Sequence, residues 1–285
     1  MTNNNQIVKA LQSLIIQKCV AGSDTLQICN YSDQLFTQYK LQCCFPFCIS
    51  INEELDFVSP SFPSQTRVLC ESDIVRIRFG VLINQLPSEV CTSFVVPVLS
   101  QQHRDYIIDA VQNPIARCFY CLKQILDEVP ALLKHGSLYS QATELMQRKF
   151  EHFQVSSLIN EFDTSKSLLK QNQILKFDLI LSPFKIKPAY DMQQKFIFQL
   201  KESAKPSEIE VKFVTKIRKQ FKNKPFCLRQ VGEQTGFRPN SGCYDQFLVT
   251  LMKAKDFVHF VFEVRVGPEG GEILGQPIIA NSVKM

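Results

Sequence analysis

The chain predicts an α+β fold with antiparallel sheets, on three observations. Two amphipathic helical patterns precede any strand, two β-rich segments flank a short turn, and later helices and strands come in blocks, not in βαβ alternation. With 285 residues, 45% of them apolar, the chain can bury a full core. One domain is expected, with halves over about 1–128 and 129–285.

Ile7, Val8, Leu11, Leu14 and Ile15 recur at helical spacing, and Leu26, Cys29, Leu35 and Phe36 suggest a second helix opening after Asp24. Phe45 to Ile51, Ile74 to Ile83 and Glu89 to Val98 are rich in β-branched and aromatic residues, with Asn84-Gln85-Leu86-Pro87 as the turn of a hairpin. Gln101 to Glu128 is helical in pattern, Pro114 marking a break or a new start, and Ser140 to Phe153 forms another helix. Strands resume at Ile174 to Leu181, Lys195 to Leu200 and Phe257 to Val266.

Between these strands, Ser207-Glu208-Ile209-Glu210 reads as a capping box that starts a helix. Its apolar face is Phe213, Val214, Ile217 and Phe221, while Lys212, Lys216 and Lys219 fall on another face at i, i+4 and i+7. Lys222, Lys224 and Arg229 continue the charge, and no acid interrupts the run. Up to residue 128 the chain has nine Lys/Arg against twelve Asp/Glu, and beyond it 23 against 15. That asymmetry favours an anionic partner for the C-terminal half.

Eleven cysteines, an odd number in a large chain without a secretory signal, point to free thiols. Cys118-Phe119-Tyr120-Cys121 is a CxxC in a helical stretch with no second pair beside it, so buried thiols are favoured over metal or redox chemistry. The apolar runs are too short to span a bilayer and residues 1–6 lack a signal pattern. An intracellular protein is expected, cytoplasmic or also nuclear. Nucleophile-elbow, P-loop, dinucleotide and HExxH motifs are absent, and His103, His135, His152 and His259 have no partner at ligand spacing.

Phe45-Pro46-Phe47-Cys48-Ile49-Ser50-Ile51-Asn52, then Val58-Ser59-Pro60, the Arg76 to Val96 hairpin and Lys224-Pro225-Phe226-Cys227-Leu228-Arg229 together resemble the type 2 methionine aminopeptidase family. The resemblance covers nearly the whole chain and is nearest the non-catalytic, proliferation-associated branch. It implies the pita-bread fold, with two pseudo-symmetric α+β halves, antiparallel sheets and outer helices around a central pocket.

In the enzymes of that family five side chains hold two metal ions and a further histidine contacts the substrate. Carried over, the hairpin acids fall on Arg78 and Glu89, the substrate histidine on Phe57, a strand carboxylate on Asp178, and the last glutamate on Phe262, with Glu263 one residue away on the opposite face. The metal-binding histidine falls near Ser157-Leu158, where this chain has none. Only Glu89 and Asp178 remain of the ligand set, too few for two cations, so neither aminopeptidase activity nor a metal cofactor is expected. Arg78 is expected to replace the metal charge by pairing with Glu89 or Asp178; the alternative is that Arg78 and Glu89 reach solvent.

The leading functional reading is a non-catalytic binding protein associating with RNA or ribosomes, as the resemblance implies. Lys212, Lys216, Lys219, Lys222, Lys224 and Arg229 are the candidate nucleic-acid face, a solvated helix surface being the plain alternative. The second reading is a protein-interaction subunit of a larger complex, and residual peptidase chemistry is the least favoured. Neither a membrane nor a small-molecule substrate is expected.

Overall fold

A computed structural model describes residues 3–97, 114–159, 168–185, 188–232, 237–252 and 256–279. Helices α1 (Asn3–Ile16) and α2 (Thr25–Gln38) come first. The Asp24 carboxylate accepts from the Gln27 amide at 3.0 Å and so caps an otherwise unsatisfied donor at the start of α2. Strands β1 (Gln42–Ile51), β2 (Glu54–Asp56), β3 (Ile74–Ile83) and β4 (Leu86–Val95) follow.

The β3–β4 turn is tighter than the sequence suggests. Only Asn84 and Gln85 lie outside the strands, with φ of 52° and 66°, while Leu86 and Pro87 pair with Ile83 and Leu82. Two consecutive left-handed residues match the twist of the flanking strands, which a four-residue turn would not require.

Next come α3 (Pro114–Leu132), α4 (Tyr139–Phe153), β5 (Ser156–Ile159), β6 (Ile174–Ser182) and β7 (Pro188–Leu200). Pro114 is the first residue of α3, where its missing amide costs nothing; the rest of the helical pattern from Gln101 lies outside the described residues. Helix α5 (Val211–Phe221) begins four residues after Ser207. The Ser207–Glu210 segment is a turn in which the Glu210 carboxylate accepts from the Ser207 amide at 3.2 Å and its hydroxyl at 2.8 Å, so the capping box does not itself start the helix. The chain closes with β8 (Phe226–Cys227), β9 (Tyr244–Met252), β10 (Val258–Arg265) and β11 (Glu272–Ile273). β9 is absent from the sequence reading.

The larger sheet runs β1-β3-β4-β10-β6-β5, with β11 on β10, and the smaller runs β2-β9-β7-β8; every pairing is antiparallel. Alternation decides what each face of the larger sheet carries. Val75, Ile77, Phe79 and Val81 of β3 point to α1 and α2, where Val8, Leu11, Ile28 and Phe36 meet them. Phe177, Leu179, Phe260 and Phe262 point to α3 and α4, against Leu122, Ile125, Met146 and Phe150. The opposite face holds residues of the other parity, most of them polar, and the smaller sheet meets it through Phe45, Cys48, Val58, Phe196, Ile197 and Val249. Helix α5 packs on the smaller sheet through Phe213, Val214 and Ile217 against Phe198, Phe226 and Tyr244.

All eleven cysteines are free, and Cys118 and Cys121 are buried in α3. Burial pushes both of these thiols above their usual range, Cys121 to about 12, leaving neither as a thiolate for metal or redox work at neutral pH. No helix among the described residues is long and apolar enough to cross a membrane.

Gly80 sits where β1 bulges against β3, and a Cβ there would lie 2.9 Å from both Cys44 Sγ and Phe45 Cβ. Gly80→Ala is expected to destabilise the fold by about 1–3 kcal/mol through overpacking, read as a lower urea midpoint at unchanged slope.

Candidate functional site

The concave face of the larger sheet is built from strand parity. Arg76 and Arg78 on β3, Glu89, Cys91 and Ser93 on β4, Asp178 on β6, and His259 and Glu263 on β10 all point away from the helix pairs. The chain thus brings eight polar side chains to one surface, and each must find partners.

Arg78 is the hub. It is 6% exposed, its Nε and Nη2 donate to Glu89 Oε1 at 2.8 and 2.6 Å, and its Nη1 is in contact with Asp56 Oδ2. Asp178 Oδ2 lies 3.8 Å from Nη2. The rings of Phe45 and Phe57 cover the guanidinium at 4.8 and 5.5 Å from their centroids. Burial alone would lower this guanidinium's hold on its proton, but Glu89 and Asp178 outweigh it and the group stays charged.

Each carboxylate is engaged on both oxygens. The second oxygen of Asp56 accepts from the Phe57 amide at 2.8 Å, that of Glu89 from Lys176 Nζ at 2.8 Å, and that of Asp178 meets His259 Nε2 at 2.7 Å. Burial would raise Glu89 and Asp178. Arg78 and Lys176 hold Glu89 below its ordinary value instead, and His259 with Arg78 and Lys176 hold Asp178 well below. Burial would likewise push His259 down, but Cys91 and Asp178 lift it to about 9, so it pairs with Asp178 as an imidazolium at neutral pH.

Arg76 has no carboxylate partner among the described residues. Its Nη1 donates to the Asn52 and Glu54 carbonyls at 2.8 and 3.0 Å, its Nη2 to the Phe257 carbonyl at 2.8 Å, and the Phe257 ring stacks 3.6 Å away. Ser93 Oγ donates to the His259 carbonyl and accepts from the His259 amide, both at 2.8 Å.

The sequence reading needs two corrections here. Phe262 is fully buried on the helix side, stacked on Phe177 at 5.0 Å, whereas Glu263 shares the concave face; the expected register was off by one residue and so reversed the two sides. Arg229 is no surface cation. Its Nε donates to Asp33 at 2.6 Å and its Nη1 to the Pro60 carbonyl at 2.6 Å and Ser59 Oγ at 3.2 Å, with only 7% of the side chain exposed. Arg78 pairs with Glu89 and faces Asp178 as expected, and the alternative in which it reaches solvent does not hold. Asp56 was missed, although one acid in the apolar run Leu55-Asp56-Phe57-Val58 is the mark of a buried, paired carboxylate. The side chain of Leu158 lies outside the described residues.

Glu263 is the least compensated group. Its Oε2 accepts from the Glu89 amide at 3.2 Å, and burial, partly offset by that bond and reinforced by the Glu89 charge, raises it to about 7. A carboxyl raised in the folded state holds its proton more tightly there than in the unfolded chain. Its penalty is therefore zero below about pH 4.5, grows as pH rises to 7, and then levels off at no more than about 3 kcal/mol. Glu263→Gln keeps an acceptor for the Glu89 amide without the charge. It is expected to raise Tm at pH 8 and to leave it unchanged at pH 4.5, as calorimetry at the two pH values would read.

The two metal ions that the resemblance implies do not fit this donor set. Both oxygens of Asp56 and Glu89 are hydrogen-bonded, those of Asp178 are held by His259 and ion-paired to Arg78, and a guanidinium fills the space between the three acids. No family model matches the chain. It is 23% identical to proliferation-associated protein A of Dictyostelium discoideum in an alignment of 155 residues that covers 50% of this chain and 38% of that protein. Among solved structures it is similar to a thermophilic Arx1, with a TM-score of 0.73 at 15% identity over 96% of this chain and 89% of that one. Methionine aminopeptidase of Thermotoga maritima gives 0.55 at 13% identity over 96% and 93%, and that of Rickettsia prowazekii 0.53 at 12% over 97% and 98%. The chain is a pita-bread protein, with the α+β fold of the methionine aminopeptidases.

Proposed function

We propose that this chain is a non-catalytic pita-bread protein that acts by binding, and that it associates with RNA or ribosomes through the basic face of α5. The observation that carries the non-catalytic reading is the Arg78 guanidinium seated between Asp56 and Glu89, where an enzyme of this fold needs open ligand positions. Among the described residues, no nucleophile on the concave face has both an accessible surface and an activating base: Cys91 and Ser93 are buried, and the Ser93 hydroxyl is tied to the backbone of His259.

Support for the basic face is positional. Lys212, Lys216, Lys219 and Lys222 are exposed, and Lys224 is half-buried. The Lys216 amine donates to the Val231 carbonyl at 2.7 Å, while Lys212, Lys219 and Lys222 have no ion-pair partner among the described residues. Three free ammonium groups along one helix suit successive phosphates of a structured RNA.

A second reading is favoured by Ile209 and Val211, 68% and 46% exposed at the start of α5. An apolar step beside a basic face also suits an acidic protein partner. The combined variant K212E/K219E/K222E separates the two readings. For RNA, affinity is expected to drop at least about tenfold in fluorescence anisotropy, and the slope of log K against log salt to fall by about 2–3. Unchanged RNA affinity in this variant removes the first reading, and salt-resistant co-purification with one protein complex supports the second.

A further inference from the structure

We infer that the Arg78 guanidinium is the resident cation of the concave face: it ties together the strands that surround it and closes the site to divalent metal ions. The inference rests on the fold and on the non-catalytic reading, and is independent of the basic face on α5.

The geometry around Arg78 is that of a connector, not of a single ion pair. Three carboxylates converge on it from three strands, Asp56 on β2 of the smaller sheet, Glu89 on β4 and Asp178 on β6, while Glu263 on β10 accepts from the Glu89 amide beside them. A guanidinium is planar and fixes its donors in diverging directions. One edge, Nε with Nη2, takes Glu89; Nη1 takes Asp56 from the other sheet; Nη2 also faces Asp178. A lysine ammonium would supply charge but not this fixed fork.

Without a central cation these acids would repel one another in a site shielded by Phe45 and Phe57. Lys176 and His259 compensate from the rim, each engaging an oxygen that Arg78 leaves free. Divalent ions sit about 2.0–2.6 Å from their oxygen ligands, a space that the guanidinium nitrogens already fill. One side chain therefore decides whether the acids bind an internal organic cation or an external inorganic one. Removing it should convert a metal-independent fold into one that gains stability from metal.

The test uses the full chain, treated with chelator, as wild type, Arg78→Ala and Arg78→Gln, with Mn2+ as the probe in calorimetric titrations and melting curves. The wild type is expected to show no saturable Mn2+ binding and no change in Tm with chelator. Both variants are expected to melt lower than wild type and to bind Mn2+ saturably. At Mn2+ about 100-fold above its Kd, their folding equilibrium should gain about 100-fold. Where Arg78→Ala does not accumulate as folded protein, Arg78→Gln carries the comparison, because it keeps most of the side chain's bulk without its charge. Saturable Mn2+ binding by the wild type, or a folded variant that takes up no Mn2+, overturns the inference. Release of N-terminal methionine from a peptide by Mn2+-supplemented wild type would overturn the non-catalytic reading as well, whereas binding without turnover would overturn the cation inference alone.

Discussion

A buried guanidinium is costly unless its donors are engaged and its charge is compensated, and at Arg78 that requirement draws on four strands and both sheets. Asp56 must be presented by β2, so β2 must pair with β9. Glu89 must lie diagonal to Arg78 on the same face, which the two-residue β3–β4 turn secures by fixing the register. Asp178 and His259 must lie diagonally on one face of the β6–β10 ladder, Asp178 pairing with Val261 and His259 with Ile180. The aromatic cover from Phe45 and Phe57 keeps water away and makes each of these pairings worth more than at the surface.

The same logic recurs at two other arginines with different solutions. Arg76 relies on three backbone carbonyls and one aromatic ring, which spreads its charge over dipoles and leaves its Nε without a partner. Arg229, just after β8, joins Asp33 of α2 to the Ser59–Pro60 segment that follows β2, fastening the smaller sheet to the first helix pair. Buried cations thus act as fasteners at three points, and the chain's positive charge is not all available to a partner.

Helical periodicity made α1, α2 and α4 legible because each has a continuous apolar stripe facing a sheet, and β-branched runs did the same for β3, β6 and β10. What escaped had physical reasons. β9 mixes exposed and buried positions without clean alternation, and β2 is three residues long, too short to carry a period. Phe262 and Glu263 were exchanged because a strand flips its faces with every residue, and nothing local indicates which side meets the core. Arg229 follows a lysine run, so charge density suggested a surface; its burial depends on Asp33, almost two hundred residues earlier. Arg78 was legible as an anomaly, whereas its contact with Asp56 required the second sheet.

The seam between β4 and β10 has a further consequence. Only Val261 and Cys91 pair there in the ladder; Ser93 Oγ serves the backbone of His259 on one side, and the Glu263 carboxylate serves the Glu89 amide on the other. In the β3–β4 and β6–β10 ladders, ten and eight backbone pairs carry the cohesion. At this seam it belongs to side chains, so the join between the two parts of the larger sheet is written in the amino-acid sequence and can be loosened or tightened by single substitutions.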